Sequence, residues 1–144
     1  MADYIVSGRA VALAALALID APFRLHGRDA ATGLDCVGLC LTALKEAGWP
    51  VVEPPNYVLR GAAVSRVERI IEQQGLIPAV HAGEGDVVIA LTGPMQLHLM
   101  IASAHGHVHA HAGLGRVVHM PGASLWPVLG RWRVPDTPRP VQED

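Results

Sequence analysis

The residue best suited to chemistry is Cys36, which follows Asp35 in the sequence LDCVGLCL. The apolar run around it has helical spacing, so Cys36 lies at the predicted start of a helix. Unpaired backbone N–H groups and the helix dipole at such a position favour a thiolate over a thiol. Cys36 is therefore a candidate nucleophile, although most free cysteines are small buried apolar residues. Cys40, one turn further on, fits that second description.

A cysteine nucleophile needs an imidazole to take its proton and a third polar group to fix the tautomer of that imidazole. His98 lies in the apolar strand QLHLMIAS, and His107, His109 and His111 alternate in the next strand, GHVHAHAG. Alternate strand residues point to one face, so one of these three can reach the ring of His98. Such histidines can also bind zinc, nickel or copper, but the nearest acidic residues precede a different strand. We expect no metal and no cofactor.

Three predicted helices in the first half of the chain must place the cysteine. The first begins near Ser7 and stops before Pro22, and the other two span Leu34 to Ala47 and Val64 to Gln74. The apolar segment Ala10–Ile19 has only ten residues, too few for a bilayer core of about 30 Å. Its flanks lack a cluster of positive charges and a cleavage site. We therefore expect a buried first helix, with no signal peptide and no membrane insertion.

The second half of the chain consists of short β-type segments divided by turn residues, which predicts an antiparallel sheet. These segments are Asp86–Leu91, Leu97–Ser103, His107–His111, Arg116–Met120 and Leu129–Val134. Helices first and strands afterwards indicate an α+β fold. We expect one domain over residues 1–135 and a disordered tail, rich in proline and charge, over 136–144.

The composition limits the classes of function. The 144 residues are 51% hydrophobic and 17% charged, which is typical of one compact domain that needs neither a metal nor a disulfide to fold. The formal net charge of −2 argues against a nucleic-acid partner or an anionic membrane found by bulk charge. Two cysteines four residues apart also argue against a disulfide scaffold.

Together these segments resemble the NlpC-type cysteine peptidases of bacterial and phage cell-wall turnover, whose fold is papain-like. The segment APFRLHGRDAATGLDCVGL is similar to the family's loop and nucleophile helix, and GDVVIAL, LHLMIA and HVHAHAGLGRVV are similar to its strands. The resemblance implies that Cys36 is the nucleophile, His98 the base and His109 the residue that orients the base. His109 fits the family's apolar-His-Ala pattern, and His111 is the alternative third residue.

The resemblance also implies an activity and a substrate. The chain would cut an amide bond in the peptide stem of peptidoglycan, as an endopeptidase or an amidase, through a thioester acyl-enzyme. Asp35, Phe23 and Arg24 would lie on the substrate-binding side of the site. Phe23 stands where relatives often have a tyrosine, and Val37 replaces a usual serine. These departures leave open a catalytically decayed structural or adaptor component.

The closing segment PGASLWPVLGRW resembles short peptidases found beside phage-tail and gene-transfer-agent genes. This implies a protein made in the cytoplasm, carried with tail proteins in a phage-like particle, and acting on the periplasmic cell wall. Leu125, Trp126 and Trp132 could dock the domain on that assembly, or they could pack within the fold. His26 is assigned to a loop with no role.

Overall fold

The computed structural model describes residues 3–4, 6–55, 59, 61–135 and 139–140. Its helices are α1 (Gly8–Leu16), α2 (Cys36–Glu46) and α3 (Val64–Glu72). Its strands are β1 (Asp3–Tyr4), β2 (Arg28–Asp29), β3 (Gly33–Leu34), β4 (Ile77–Pro78), β5 (Val87–Gly93), β6 (Gln96–Ser103), β7 (Gly106–His111), β8 (Arg116–Pro121), β9 (Val128–Arg133) and β10 (Arg139–Pro140). The α+β class is confirmed, and the five longer strands lie where the alternation predicts them.

The helix termini follow from local polar groups. The Ser7 Oγ accepts a hydrogen bond from the Ala10 N–H (3.0 Å), which begins α1 at the predicted residue. α1 ends at Leu16, earlier than expected, because the next residues form tighter turns in which each N–H bonds three residues back: Leu18 to Ala15, and Ile19 to Leu16. Among the described residues, no helix is long and apolar enough to cross a membrane.

Six described strands form one antiparallel sheet in the order β4-β9-β5-β6-β7-β8. The short edge strand β4 was not predicted, because two residues carry no alternation that could reveal it. Strands β6 and β7 pair from Ile101 and Val108 to Ser103 and Gly106. Toward its other end, from Gln96 on, β6 is paired with β5 alone in the described part of the chain. The sheet therefore opens between β6 and β7 near His98.

The two faces of the sheet bury different side chains. We call the side that packs on α1 and α2 the helix face: Leu97, Leu99 and Ile101 of β6 join the main core there. The other side, which we call the outer face, carries a smaller apolar cluster of Val88, Ala90, Met100, Ala102 and Met120, with Trp126 packed against it. Each fully buried aliphatic side chain contributes about 1.5–3 kcal/mol. The helix face therefore supplies most of the stability.

A buried carboxylate holds the central strands at the far end of the sheet. Asp86 is fully buried, and its carboxylate accepts hydrogen bonds from the Arg131 and Arg133 side chains of β9, each at 3.0 Å. It also accepts the Gly83 N–H at 2.9 Å. These bonds fix β9 against β5 and give Asp86 a structural role.

The predicted disordered tail, residues 136–144, lies largely outside the described residues. Within it, Arg139–Pro140 forms β10, which pairs antiparallel with β1. The segment after α2 is described over residues 51–55 and at Leu59, and it has no regular structure there.

Candidate active site

Asp35 begins the helix that carries the candidate nucleophile. Its Oδ1 accepts the Gly38 N–H at 2.8 Å, which caps α2 so that Cys36 is its first residue. Its Oδ2 accepts the His26 N–H at 2.9 Å, and its Oδ1 lies 3.2 Å from the Arg28 guanidinium. The buried Asp35 carboxylate is thus held by donors of this chain and fixes the start of the helix that carries the thiol. Asp35 also lines the candidate cavity, where it was predicted to bind substrate.

The loop before α2 packs unusually close to the first turn of the helix. A Cβ on Gly38 would overlap the carbonyl oxygen of Gly27, and a Cβ on Gly27 would overlap the carbonyl oxygen of Gly33. Glycine at both positions lets backbone approach backbone directly. This contact explains the Gly38 of the D-C-V-G motif as a packing requirement.

The predicted substrate-binding residues of this loop divide into two groups. Phe23 lines the candidate cavity, and its N–H donates to the Gly115 carbonyl at 2.8 Å. Arg24 is exposed, and it is not among the described residues that line the cavity. Leu25 and His26 do line the cavity, so the loop contributes the residues one and two positions after the expected Arg24.

Two histidines meet on the outer face of the sheet. The His98 Nε2 lies 3.1 Å from the His109 Nδ1, and the two rings are perpendicular, with centroids 5.2 Å apart. The His111 ring lies beyond His109, at 5.7 Å, and its Nδ1 accepts the Leu114 N–H at 3.0 Å. Of the two alternatives for the third residue, the structure therefore brings His109 to His98.

Strand register explains this pairing. If the register of Ile101 with Val108 is continued, His109 lies opposite Met100, two residues from His98 on the same face. Such diagonal neighbours are within reach of long or aromatic side chains. Because β6 and β7 part at this point, the imidazoles fill the gap between the strands.

The thiol and both imidazoles open into one cavity of about 500 Å³. Most of its other described lining is apolar or uncharged: Phe23, Leu25, Leu59, Thr92, Gln96, Ala110, Ala112, Gly113 and Trp126. The backbone of Leu99 acts on the Cys36 thiol and lowers its pKa, which places the thiol close to β6 at the residue that follows His98. Within the described part of the chain, no hydrogen bond joins the thiol directly to the His98 ring.

With this geometry established, the chain can be compared with known proteins. No protein-family model matches it, and no curated protein matches it. Among solved structures, the NlpC/p60 domain of the peptidoglycan hydrolase SagA is similar with a TM-score of 0.53 and 22% identity, over 81% of this chain and 90% of that one. NlpC1 from Trichomonas vaginalis is similar with a TM-score of 0.62 and 18% identity, over 88% of this chain and 43% of that one.

The chain has the NlpC/p60 fold. The predicted papain-like arrangement, with helices packed on an antiparallel sheet and Cys36 at a helix N-terminus, is thereby confirmed. At these sequence identities the likeness concerns the fold, so the chemistry has to be argued from the residues of this chain.

The protonation state of the candidate nucleophile differs from the expected thiolate. Burial raises the pKa of Cys36 to about 12, and the nearby Asp35 carboxylate adds to this, although backbone N–H groups, that of Leu99 foremost, act in the opposite direction. The helix N-terminus does favour the anion, but removal of water from the sulfur has the larger effect. Cys36 therefore rests as a neutral thiol.

The imidazoles are also neutral at rest. Burial lowers the pKa of His98 and of His109 to about 4 in each case, and the neighbouring histidines lower both further. A neutral His98 can accept a proton, whereas an imidazolium cannot. Because its Nε2 faces His109, the Nδ1 is the atom left to take a proton.

Two features of this candidate site were not assigned from the sequence. Trp126 lines the cavity and contacts both imidazoles, and His26 lines it from the loop. In the described part of the chain, no group of three or more His, Cys, Asp or Glu is arranged to hold a metal ion.

Proposed function

We propose that this chain is a peptidoglycan hydrolase, a cysteine peptidase that cuts an amide bond in the peptide stem. The observation that carries the proposal is the thiol of Cys36 and the hydrogen-bonded pair of His98 and His109 lining one cavity. The fold supports the substrate class, since one structure with the same fold is the domain of a peptidoglycan hydrolase.

The first half of the reaction forms a thioester. The His98 Nδ1 takes the proton of the Cys36 thiol as the sulfur attacks the carbonyl carbon of the amide. The C–N bond then breaks, and the imidazolium of His98 gives its proton to the leaving amine. Because the resting thiol is neutral, proton transfer and attack are coupled, and no standing ion pair is required.

The second half releases the acyl group. His98 takes a proton from a water molecule that attacks the thioester carbonyl, and the proton returns to the sulfur as the C–S bond breaks. Throughout, the His98 Nε2–H donates to the His109 Nδ1, so His109 keeps the Nδ1 of His98 free and stabilises its charged form.

The developing oxyanion needs donors near the helix start. The Cys36 N–H, at the first residue of α2, is the donor we propose. Phe23 lines the cavity without a hydroxyl, so it supplies apolar contact where a tyrosine would donate a hydrogen bond.

The site of action is a further part of the proposal. The resemblance of the closing segment to tail-associated peptidases supports a domain made in the cytoplasm, carried in a phage-like tail particle and delivered to the periplasmic cell wall. Targeting would then come from tail proteins.

The test is digestion of purified Gram-negative peptidoglycan, with mass analysis of the released muropeptides. Wild type and Cys36→Ala are compared with Cys40→Ala, a matched control that removes the other buried thiol one turn deeper in α2. We expect products from wild type and Cys40→Ala only, and their masses identify the bond and separate an endopeptidase from an amidase. Products from Cys36→Ala would overturn the mechanism, and no products from any of them would favour the structural or adaptor component.

A further inference from the structure

Trp126 contacts both members of the imidazole pair. Its ring centroid lies 5.5 Å from that of His109 and 6.2 Å from that of His98, with interplanar angles of 89° and 82°. Near-perpendicular aromatic rings at such distances attract each other through the positive edge of one and the negative face of the other. The indole thus forms one wall against which both imidazoles rest.

The sheet order explains why a tryptophan from this segment reaches the site. β8 is an edge strand, and β9 lies beyond β7, β6 and β5, so the connection between them must pass four strand spacings. That distance is roughly 19 Å in a flat sheet, and the steps from Pro121 to Val128 span at most about 25 Å. The connection must therefore be nearly extended, which restricts where Trp126 can lie.

The backbone around Trp126 is fixed on both sides. The Ser124 Oγ donates to the Trp126 carbonyl at 2.8 Å and accepts the Trp126 N–H at 3.1 Å. The Leu91 N–H of β5 donates to the Pro127 carbonyl at 2.9 Å. The indole itself packs against the outer-face cluster. Trp126 is therefore held by the scaffold, independently of the histidines it contacts.

We propose that Trp126 is a positioning residue of the hydrolase site, which holds the rings of His98 and His109 perpendicular and keeps the Nδ1 of His98 directed at the thiol. The indole also lies against both rings of the hydrogen-bonded pair from the outer-face cluster, which limits the access of water to that hydrogen bond. The inference rests on the proposed function for its kinetic consequence, whereas its effect on the rings stands without it.

The first readout is the state of the rings in the free protein, measured by nitrogen-15 NMR of the histidine side chains. His98→Gln and His109→Gln assign the two sets of signals. In the wild type we expect a protonated Nε2 on His98, with neutral rings down to about pH 4. In Trp126→Ala we expect mixed tautomers and titration closer to the ordinary value of 6.5, because water reaches the rings.

This titration must be separated from the influence of neighbouring ionisable groups. The groups that face the pair from the elements around it are His107 and His111 of β7, Cys36 and Asp35 of the α2 start, and His26 of the loop. None of them is altered by the substitution. A shift in Trp126→Ala alone therefore reports the loss of the indole.

Trp132→Phe is the matched control. Trp132 is buried in the main core from β9, and it belongs to the same part of the chain as Trp126. We expect it to change stability and leave the histidine signals unchanged. Trp126→Phe retains an aromatic wall and should restore the wild-type tautomer, so it keeps the test decisive should Trp126→Ala fold poorly.

The second readout is kinetic. We expect Trp126→Ala to lower kcat by about 10- to 100-fold with little change in KM, and Trp126→Phe to recover most of it. Unchanged tautomers and titration in Trp126→Ala would overturn the inference, whatever the activity. A loss of activity with unchanged histidine signals would likewise overturn it, since the indole would then contact substrate only. An inactive wild type would count against the proposed function and leave the NMR comparison in force.

Discussion

The candidate site has a thiol half and an imidazole half that are built in opposite ways. The thiol half comes from one short stretch, in which Asp35 caps the helix that Cys36 begins and the loop packs on Gly38. The imidazole half is assembled from three separate parts of the chain, the strands of His98 and His109 and the connection that carries Trp126. The first half depends on backbone hydrogen bonds and the second on ring packing.

Both halves have the same electrostatic outcome. Burial raises the pKa of the thiol and lowers those of the two imidazoles, so all three groups are uncharged at neutral pH. The resting site therefore holds no ion pair between the thiol and the imidazoles. Charge separates only when a substrate carbonyl is present to accept the sulfur, and the surroundings of each half decide how easily that happens.

Among substitutions that leave the nucleophile in place, the largest expected effect comes from the imidazole half. His98→Ala removes the group that accepts the thiol proton, so kcat/KM should fall by about 10⁴-fold, the upper range for general base catalysis. His119→Ala is the control, since the His119 Nε2 contacts the Ser103 Oγ at 2.9 Å, away from the cavity. The rate of muropeptide release measures the activity of both variants. Retained activity in His98→Ala would show that His98 is not the general base.

The next comparison separates the two alternatives for the third residue. His109→Ala removes the partner of the His98 Nε2, and we expect a loss of about 10²- to 10³-fold in kcat. His111→Ala should cost less than tenfold, about what a neighbouring charge or contact contributes, because its Nδ1 is engaged with the Leu114 N–H. An equal or larger loss in His111→Ala would reverse the assignment.

Substitutions in the thiol half are expected to change the stability of the fold. Asp35→Ala removes the cap of α2 and the bonds to the His26 N–H and Arg28, and the free energy of unfolding should fall by about 2–3 kcal/mol. Asp29→Ala in the same loop removes one exposed bond to the Ala31 N–H and should cost less than about 1 kcal/mol. Urea denaturation of the three proteins tests this, and equal midpoints for Asp35→Ala and wild type would contradict it.

The smallest effect is a pH dependence of stability from the imidazole half. His98 and His109 have pKa values of about 4 in the fold against an ordinary 6.5, so the unfolded chain binds protons first as the pH falls. Their contribution is fully present above about pH 6.5 and is lost toward pH 4. Urea midpoints across this window should fall, and they should fall less in a variant with glutamine at both positions. If the urea midpoints of this variant and of the wild type fall equally with pH, other groups cause the loss of stability.

Local patterns were sufficient to predict the thiol half. The cap and first turn of α2 depend on residues within a few positions of Cys36, and alternation was sufficient for the longer strands. The neutral state of the thiol was missed, because it follows from burial of the sulfur, which depends on packing against parts of the chain that are distant in sequence. The position of Cys36 at a helix N-terminus, considered alone, predicts a thiolate instead.

The imidazole half was predicted only in outline. That a histidine of β7 meets His98 follows from alternation, but the choice of His109 depends on the register set by the turn between β6 and β7. The contact of Trp126 depends on the order of strands in the sheet, since its segment crosses from β8 to β9. Neither the strand register nor the order of strands in the sheet can be predicted from the residues around Trp126.

The backbone of Leu99 lowers the pKa of the Cys36 thiol, so the sulfur lies against β6 as well as at the start of α2. Leu99 follows His98 directly, so the nucleophile is positioned relative to the strand that carries its base. A change in the packing of α2 on β6 therefore alters the acidity of the thiol and its approach to His98 together. The interface between this helix and this strand is a single control point for both.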